Sequence, residues 1–313
     1  MKNKISFVIP CYGSELTIES VIEEIKEKVK EKKKYDYEII LSNDKSPDNV
    51  WNIIKKLASK DKKIKAINLA KNMYKHGAVM AGLAVAKGEY VVMLDDDGQC
   101  PVNDLWDLIK PLEDGHDAAH AKYPVKRQSK FKNFGSWLNK RMAEILINKP
   151  KDLYFNNFSA IQSYIVKEMI KYENPYPYVE GLLLRATDDI VNVTMDERER
   201  SIGDSNFTFK KMIKLWINGF TAFSVKPLRL ASYVGFICSL IGVGYATYII
   251  TLKFLNPAVP QGYSSIMAVL LFIGGVIMLM LGIIGEYIGR IYISLNKSPQ
   301  YVIREKINIE EDL

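Results

Sequence analysis

Hydrophobic and polar positions follow two different rhythms along this chain, and the change between them divides it. Over the first two-thirds, short apolar runs alternate with longer amphipathic stretches. Ile5–Pro10, Tyr37–Ser42, Ile64–Leu69 and Glu89–Leu94 are short and rich in β-branched residues, and are predicted as buried strands. Between them, Val21, Ile22, Ile25 and Val29 mark one face of a helix. A second helix is predicted to open at Ser46-Pro47-Asp48, with proline in a favoured first-turn position. A third covers His76 to Lys87 and stops at Gly88. A fourth, Val102 to Glu113, is interrupted by Pro111 and leads into Asp117–Tyr123. This βαβα order implies an α/β domain with a mostly parallel sheet covered by helices.

The last third is different. Leu230–Leu252 and Ile266–Ile284 are apolar throughout and long enough for membrane helices, which need roughly 20 such residues. The turn Asn256–Gly262 between them predicts a transmembrane hairpin. Lys226 and Arg229 precede the first span, Arg290, Lys297 and Arg304 follow the second, and Lys253 lies between, which puts both chain ends in the cytoplasm. Ala231, Gly235 and Ser239, and separately Gly285 and Gly289, have the small-residue spacing that lets helices approach closely, within a hairpin or between copies in a homo-oligomer. Before the spans, Phe209, Met212, Ile213, Trp216 and Phe220 share a helical face opposed by Lys210, Lys211 and Lys214. That pattern predicts a helix lying in the membrane interface.

Composition changes this picture little. A net charge of +7 favours an anionic partner, but much of the lysine alternates with glutamate on solvated helix faces, as in Glu23–Lys28. Cys11, Cys100 and Cys238 have no metal spacing and are expected as free thiols in a reducing compartment. The N-terminus runs straight into a strand, so no signal peptide is expected.

The chemistry is concentrated where strands end. Asp95-Asp96-Asp97-Gly98-Gln99 directly follows the fourth predicted strand. Three consecutive acids suit a hard divalent cation, Mg²⁺ or Mn²⁺, and also suit an exposed acidic turn before a helix. Pro10-Cys11-Tyr12 and Asn43-Asp44 fall at the same ends, where ligands bind in open α/β sheets. No Gly-x-Gly-x-x-Gly or Walker sequence is present, which disfavours dinucleotides and P-loop hydrolysis. An acidic crevice with one metal suits a nucleoside diphosphate. Asp44 is available to a base or ribose, or as a helix-capping turn residue. His76 lines the same pocket or starts its helix.

These residues resemble glycosyltransferase family 2, and within it the two-span bacterial polyprenyl-phosphate glycosyltransferases, of the bactoprenol glucosyltransferase and dolichyl-phosphate mannose synthase kind. Phe7–Tyr12 is similar to the family's first strand, with Gly13-Ser14-Glu15 in place of Asn-Glu-Glu. Asn43–Asp48 is similar to Asn-Asp-Gly-Ser-Pro-Asp, with Lys45 replacing glycine. Asp95-x-Asp97-x-Gln99 matches Asp-x-Asp-x-Gln, Arg200-x-x-Gly203-x-Ser205 matches a later element, and Gly285–Tyr292 resembles the end of the second span.

The resemblance implies a GT-A (Rossmann-like) cytoplasmic domain over 1–204, an interfacial helix and linker over 205–227, a transmembrane hairpin over 228–293 and a cytoplasmic tail over 294–313. It also implies inverting transfer of one sugar from a nucleotide donor, a UDP-sugar favoured, to polyprenyl (undecaprenyl) phosphate at the inner membrane, for cell-envelope glycan modification. Nucleic acid is not an expected partner. The implied metal ligands are Asp95, Asp97 and Gln99. Pro10, Tyr12, Glu15, Asp44, Ser46, His76 and Asp96 are implied at the donor, and Lys122, Lys132, Ser136 and Arg200 at the acceptor phosphate. Asp95, Asp97 and Arg200 carry the catalytic assignment. Lys126 and Arg127 are further candidates for positioning the acceptor phosphate. Two other readings stay open: a same-fold transferase acting on a sugar hydroxyl, or an inactive nucleotide-binding regulator. A hydroxyl acceptor needs a base, and Glu180, Asp188 and Asp189 are the remaining acids, each also readable as a surface or structural residue.

Overall fold

The computed structural model describes residues 3–123, 149–196, 198, 226–255, 262–296 and 298–310. The chain divides into two compact units, Met1–Gly219 with Ser298–Leu313, and Phe220–Lys297.

The first unit is built on strands β1 (Asn3–Cys11), β2 (Tyr35–Asn43), β3 (Ile64–Leu69), β4 (Tyr90–Met93), β5 (Ala118–Lys122), β6 (Ser159–Gln162), β7 (Ile190–Thr194) and β8 (Ile303–Ile307). They form one sheet in the order β7-β5-β6-β4-β1-β2-β3-β8. Helices α1 (Ile18–Lys30), α2 (Val50–Lys60), α3 (Tyr74–Leu83), α4 (Leu105–Glu113), α5 (Ser163–Met169) and α6 (Val179–Ala186) connect or cover it. The centre, β4-β1-β2-β3, is parallel, and β5 pairs parallel with β7. β6 runs antiparallel between β4 and β5, and β8 antiparallel on β3. The sheet is therefore mixed, where the sequence predicted it mostly parallel. β6, β7 and β8 escaped prediction because each is short and follows chain with no clear βα rhythm.

The core explains the predicted strands. Ile5, Phe7, Val8 and Ile9 of β1 and Ile39, Ile40 and Leu41 of β2 are fully buried, as continuous apolar runs covered on both faces should be. Ile18, Val21, Ile22, Ile25 and Val29 bury the predicted face of α1. Helix ends moved. α2 starts at Val50 after Asn49, not at Pro47, and α3 ends at Leu83, well short of Gly88. Gly88 serves close approach instead. A Cβ there would lie 2.6 Å from the Ser6 amide nitrogen, and its own N–H donates to Ser6 Oγ at 2.8 Å. α4 begins after a 3₁₀ turn and carries Pro111 within its last turn.

The segment expected as a terminal tail carries β8. Ala70 N–H donates to Val302 O, and the buried Gln300 donates to Tyr172 O and Asn174 O, each at 3.0 Å. Asn308, at φ 57°, donates to Ala58 O at 2.7 Å and Ile64 O at 2.8 Å. An edge strand is thereby covered rather than left open.

In the second unit, helices α7 (Lys226–Leu255) and α8 (Tyr263–Leu295) are long and continuous. Among the described residues, Phe272–Leu295, with mean hydropathy 1.9, is the segment long and apolar enough to cross a membrane. It overlaps the predicted span Ile266–Ile284, and both lie within α8. Within α7 the described residues include a shorter apolar stretch, Tyr233–Gly242. The interfacial helix expected within 205–227 lies outside the described residues up to 225, as does the predicted turn up to 261.

At the amino ends of the strands a buried carboxylate is fully neutralised. Glu38 is 1% exposed, accepts from Ser6 Oγ and Lys87 N–H at 2.6 Å each, and pairs with Lys65 at 2.8 Å and Lys4 at 3.0 Å. Burial alone would raise its pKa. The bonds from Lys65, Ser6, Lys87 and Lys4 outweigh burial and hold it at about 2. Removing one member of such a buried set leaves charges stranded. Glu38→Ala is expected to lower the unfolding free energy of the sheet domain by roughly 3–5 kcal/mol in a denaturant titration. Because the folded pKa is depressed, the wild-type advantage should be complete above about pH 5 and shrink as pH falls toward 2. A loss below 1 kcal/mol at neutral pH would contradict the assignment.

Candidate active site

Parallel register brings the predicted residues together. Cys11 pairs with Asn43 across β1 and β2, and Val8 with Met93 across β1 and β4, so three loops leave the sheet side by side. They are laced to one another. Tyr12 N–H donates to Asp96 Oδ2 at 2.9 Å, and Thr17 Oγ1 donates to the Asp96 carbonyl at 2.6 Å. Gly13 N–H donates to Ser46 Oγ at 2.7 Å, Glu15 N–H to Asp48 Oδ2 at 2.9 Å and Asn49 N–H to Glu15 Oε2 at 2.9 Å. Glu15, Ser46 and Asp96, expected at the donor, thus first of all hold the loops in place. Tyr12 is 54% exposed beside them.

Asp44 closes the floor of this crevice. It is buried, and its Oδ1 accepts from Met73 N–H at 2.5 Å. Burial pushes its pKa up to about 6, against the opposing bonds from the Met73 and Tyr74 amides. Burial likewise raises Asp96 to about 6. Contacts with Ser14 and the Tyr12 amide oppose that rise, and the neighbouring Asp95 and Asp97 charges add to it. Lys45, next to Asp44, has φ 50°, and Tyr74 has φ 60°. Left-handed backbone is costly for residues with a Cβ, which accounts for the glycine that the sequence pattern leads one to expect at position 45.

Asp95 lines a cleft, and Asp97 follows it in the same loop. Lys75 Nζ pairs with Asp95 Oδ1, and Asn157 Nδ2 donates to Asp95 Oδ2 at 2.6 Å. Asp97 Oδ1 accepts from Gln99 N–H at 3.1 Å. Among the described residues no group of three or more His, Cys, Asp or Glu side chains is arranged to hold a metal. The side chains of Asp95, Asp97 and Gln99 carry oxygen donors of the type Mg²⁺ takes when substrate phosphates complete its shell. The donor chemistry fits such an ion.

Beyond Asp95 lies a cleft lined by Pro10, Lys75, His76, Val79, Met93, Leu94, His120, Asn156, Asn157, Val179, Glu180 and Leu183. Burial lowers the pKa of His76, so it is neutral at pH 7, and its ring packs edge-on against Tyr178 at 5.4 Å. Lys122 is exposed at the carboxyl end of β5, which points the same way as β4. Lys126, Arg127, Lys132, Ser136 and Arg200 lie outside the described residues, as do Gly203 and Ser205. Arg198 N–H donates to Gln99 O at 3.4 Å. Asp189 pairs with His116 at 2.6 Å, at the opposite end of β5 from Lys122. Sequence reasoning missed Lys75, Asn157 and His120 as partners in the cleft, and it named Glu180 only as a base for a hydroxyl acceptor or a surface or structural residue. Lys75 was detectable, since it immediately precedes His76 after the third strand. The others arrive from distant strands and helices and leave no local pattern.

Asp44 gives a test with a definite sign. Its folded pKa, about 6, exceeds the unfolded value of about 4, so the native state binds the proton more tightly. The domain should lose stability as pH rises from about 4 to about 6. Asp44→Asn keeps an acceptor for Met73 N–H and should flatten that interval, with a higher unfolding temperature than wild type at pH 7 but not at pH 4. A difference between the two proteins that does not change with pH would rule this out.

Comparison with known proteins agrees with this geometry. Residues 6–168 match the profile of glycosyl transferase family 2, and residues 226–291 match that of the GtrB C-terminal hairpin. The putative glycosyltransferase CsbB of Bacillus subtilis is 33% identical, over 99% of this chain and 94% of its own length. The bactoprenol glucosyl transferase of Shigella phage SfV is 31% identical, over 97% of this chain and 99% of its own. An undecaprenyl-phosphate 4-deoxy-4-formamido-L-arabinose transferase of Proteus mirabilis is 28% identical, over 99% and 95%. Among solved structures, glucosyl-3-phosphoglycerate synthase of Mycobacterium tuberculosis with Mn²⁺, UDP-glucose and phosphoglyceric acid superposes with a TM-score of 0.51. It is 19% identical and covers 69% of this chain and 76% of that one, which speaks for the shared fold. A parallel centre with its acids gathered at the carboxyl ends, matched over more than half the chain, means that this protein belongs to glycosyl transferase family 2.

Proposed function

We propose that the protein transfers one sugar, with inversion, from a nucleoside-diphosphate donor to polyprenyl phosphate at the cytoplasmic face of a membrane. The observation that carries this reading is the crevice shared by Tyr12, Asp44 and Asp95–Asp97, in a chain that continues into a GtrB-type hairpin region. Relatives named as bactoprenol and undecaprenyl-phosphate transferases, aligned over nearly their whole length, support the lipid acceptor. The apolar segment Phe272–Leu295 supports anchoring of the protein where such a lipid is found.

The residues suit the chemistry. Asp44 and the exposed Tyr12, just beyond the carboxyl ends of β2 and β1, are assigned to the nucleoside. Asp95, Asp97 and Gln99 would hold a divalent ion, Mg²⁺ or Mn²⁺, which neutralises charge on a departing diphosphate. Lys75 contributes a positive charge at the same place. A phosphate acceptor is already ionised at neutral pH, so the chain has to supply cations and orientation rather than a base. Lys122, with Lys132, Ser136 and Arg200, is assigned to that task. UDP is the favoured nucleotide, and the catalytic unit and both chain ends are assigned to the cytoplasm.

The direct test incubates the full-length protein in detergent with radiolabelled nucleotide sugars, undecaprenyl phosphate and Mn²⁺. An acid-labile lipid product is expected. Its absence across UDP and GDP donors would overturn the reading. Asp97→Asn should lower metal-dependent turnover by about 100-fold or more while leaving the unfolding temperature near wild type. Undiminished activity in that variant would remove Asp97 from the metal site.

A further inference from the structure

The last rung shared by β2 and β3 breaks the pattern of the core. Two residues earlier in the register Leu41 faces Ala66, and both are fully buried. At the final rung Asn43 faces Asn68, and these amides are 2% and 8% exposed. Apolar side chains would cost less there, because a buried amide has to find a partner for each polar group it hides. The two amides are instead ordered end to end. Ser46 N–H is a backbone group that only donates, and it meets Asn43 Oδ1 at 3.2 Å. The other end of that amide, Nδ2, is therefore the one that donates to Asn68 Oδ1, at 2.8 Å. The Ser46 bond closes the chain around Asp44 and Lys45, and Lys45 holds a left-handed backbone at φ 50°. From Ser46 the bonds continue, since its Oγ accepts from Gly13 N–H at 2.7 Å and donates to Asp48 Oδ1 at 2.6 Å.

We infer that Asn68 is a positioning residue for the nucleoside: by fixing which way the Asn43 amide points, it sets the turn that presents Asp44. This deepens the transferase reading and rests on it for the ligand. Asn68 belongs to β3 and acts without touching the nucleotide. Its Oδ1 gives the two ends of the Asn43 amide different partners, where the terminal torsion by itself is broad and roughly two-fold. Without that acceptor Asn43 Nδ2 is left buried and unmade, and the amide relieves this only by turning away from Ser46. The turn around the left-handed Lys45 then loses its closing bond, and the link from Ser46 to Gly13 loses its fixed start. The change stays local. Asn72 Nδ2 still donates to the Asp44 carbonyl at 3.3 Å, and Asp95 and Asp97 are held by separate bonds from Asn157 and Gln99.

The experiment measures UDP and GDP binding, and donor KM and kcat with undecaprenyl phosphate, on full-length protein in detergent with Mn²⁺. Asn68→Leu is similar in size and lacks the accepting oxygen. It should weaken binding of the preferred nucleotide by about 10-fold and raise the donor KM to match, with kcat within about 3-fold of wild type. Retained kcat shows that the variant is folded, and if Asn68→Leu does not fold, Asn68→Ala carries the same expectation. Asn43→Ala should weaken binding as much as Asn68→Leu, and the double variant no further, because one residue acts through the other. Nucleotide binding within about 2-fold of wild type in the Asn68 variants overturns the inference alone. So does a double variant whose loss is the product of the two single losses, or a fall in kcat without a change in KM. Failure of wild type to bind either nucleotide overturns the transferase reading and the inference together.

Discussion

Everything at the crevice depends on β1 being paired in parallel on both sides. With β2 on one edge and β4 on the other, the register makes the chain leave the sheet at Cys11, Asn43 and Met93 within one neighbourhood. A slip of one residue would turn the fully buried side chains of β1 to the opposite face, so core packing holds the loops in place as firmly as their own bonds do. α3 lies directly on this strand: a Cβ at Gly82 would come within 2.5 Å of Val8 Cγ1. The helix that carries Lys75 and His76 is therefore held by the same strand that carries Pro10 and ends just before Tyr12.

The two ends of the sheet treat buried carboxylates in opposite ways. Glu38 has two lysines, a hydroxyl and an amide, and its pKa drops to about 2. Asp44 and Asp96 receive neutral donors only, and burial raises both to about 6. A fold optimised for stability alone would compensate them as it does Glu38. Acids left short of positive charge mark the end where ligand charge completes the structure. Left-handed backbone at Lys45 and Tyr74, on either side of the Asp44 bonds, belongs to the same end.

Much of this was legible in the sequence, for identifiable reasons. β1 to β4 were read because a strand buried on both faces must be a continuous apolar run, and α1 because its apolar residues recur at helical spacing. The Asp95–Gln99 and Asn43–Asp48 segments were read because turns at strand ends gather chemistry into a few adjacent residues. Helix limits were less certain: Gly88 looks like a helix stop, yet its small size is required by Ser6 on a neighbouring strand. β6 and β8 could not be read, since an antiparallel partner is chosen by an available sheet edge rather than by local pattern.

The sequence by itself determined that the chain joins an α/β unit to a strongly apolar C-terminal region, and that acids cluster after its strands. Those properties lie in local periodicity and composition, which each segment carries alone. Only the tertiary structure decided that residues beyond the apolar region return to cover the edge of β3, that Asp96 binds the Tyr12 amide while Asp95 pairs with Lys75 and Asn157, and that His120 and Glu180 meet in one cleft. Each of these joins residues far apart in the chain. Such pairings are set by which surfaces remain to be buried and which polar groups remain to be satisfied once the sheet has formed.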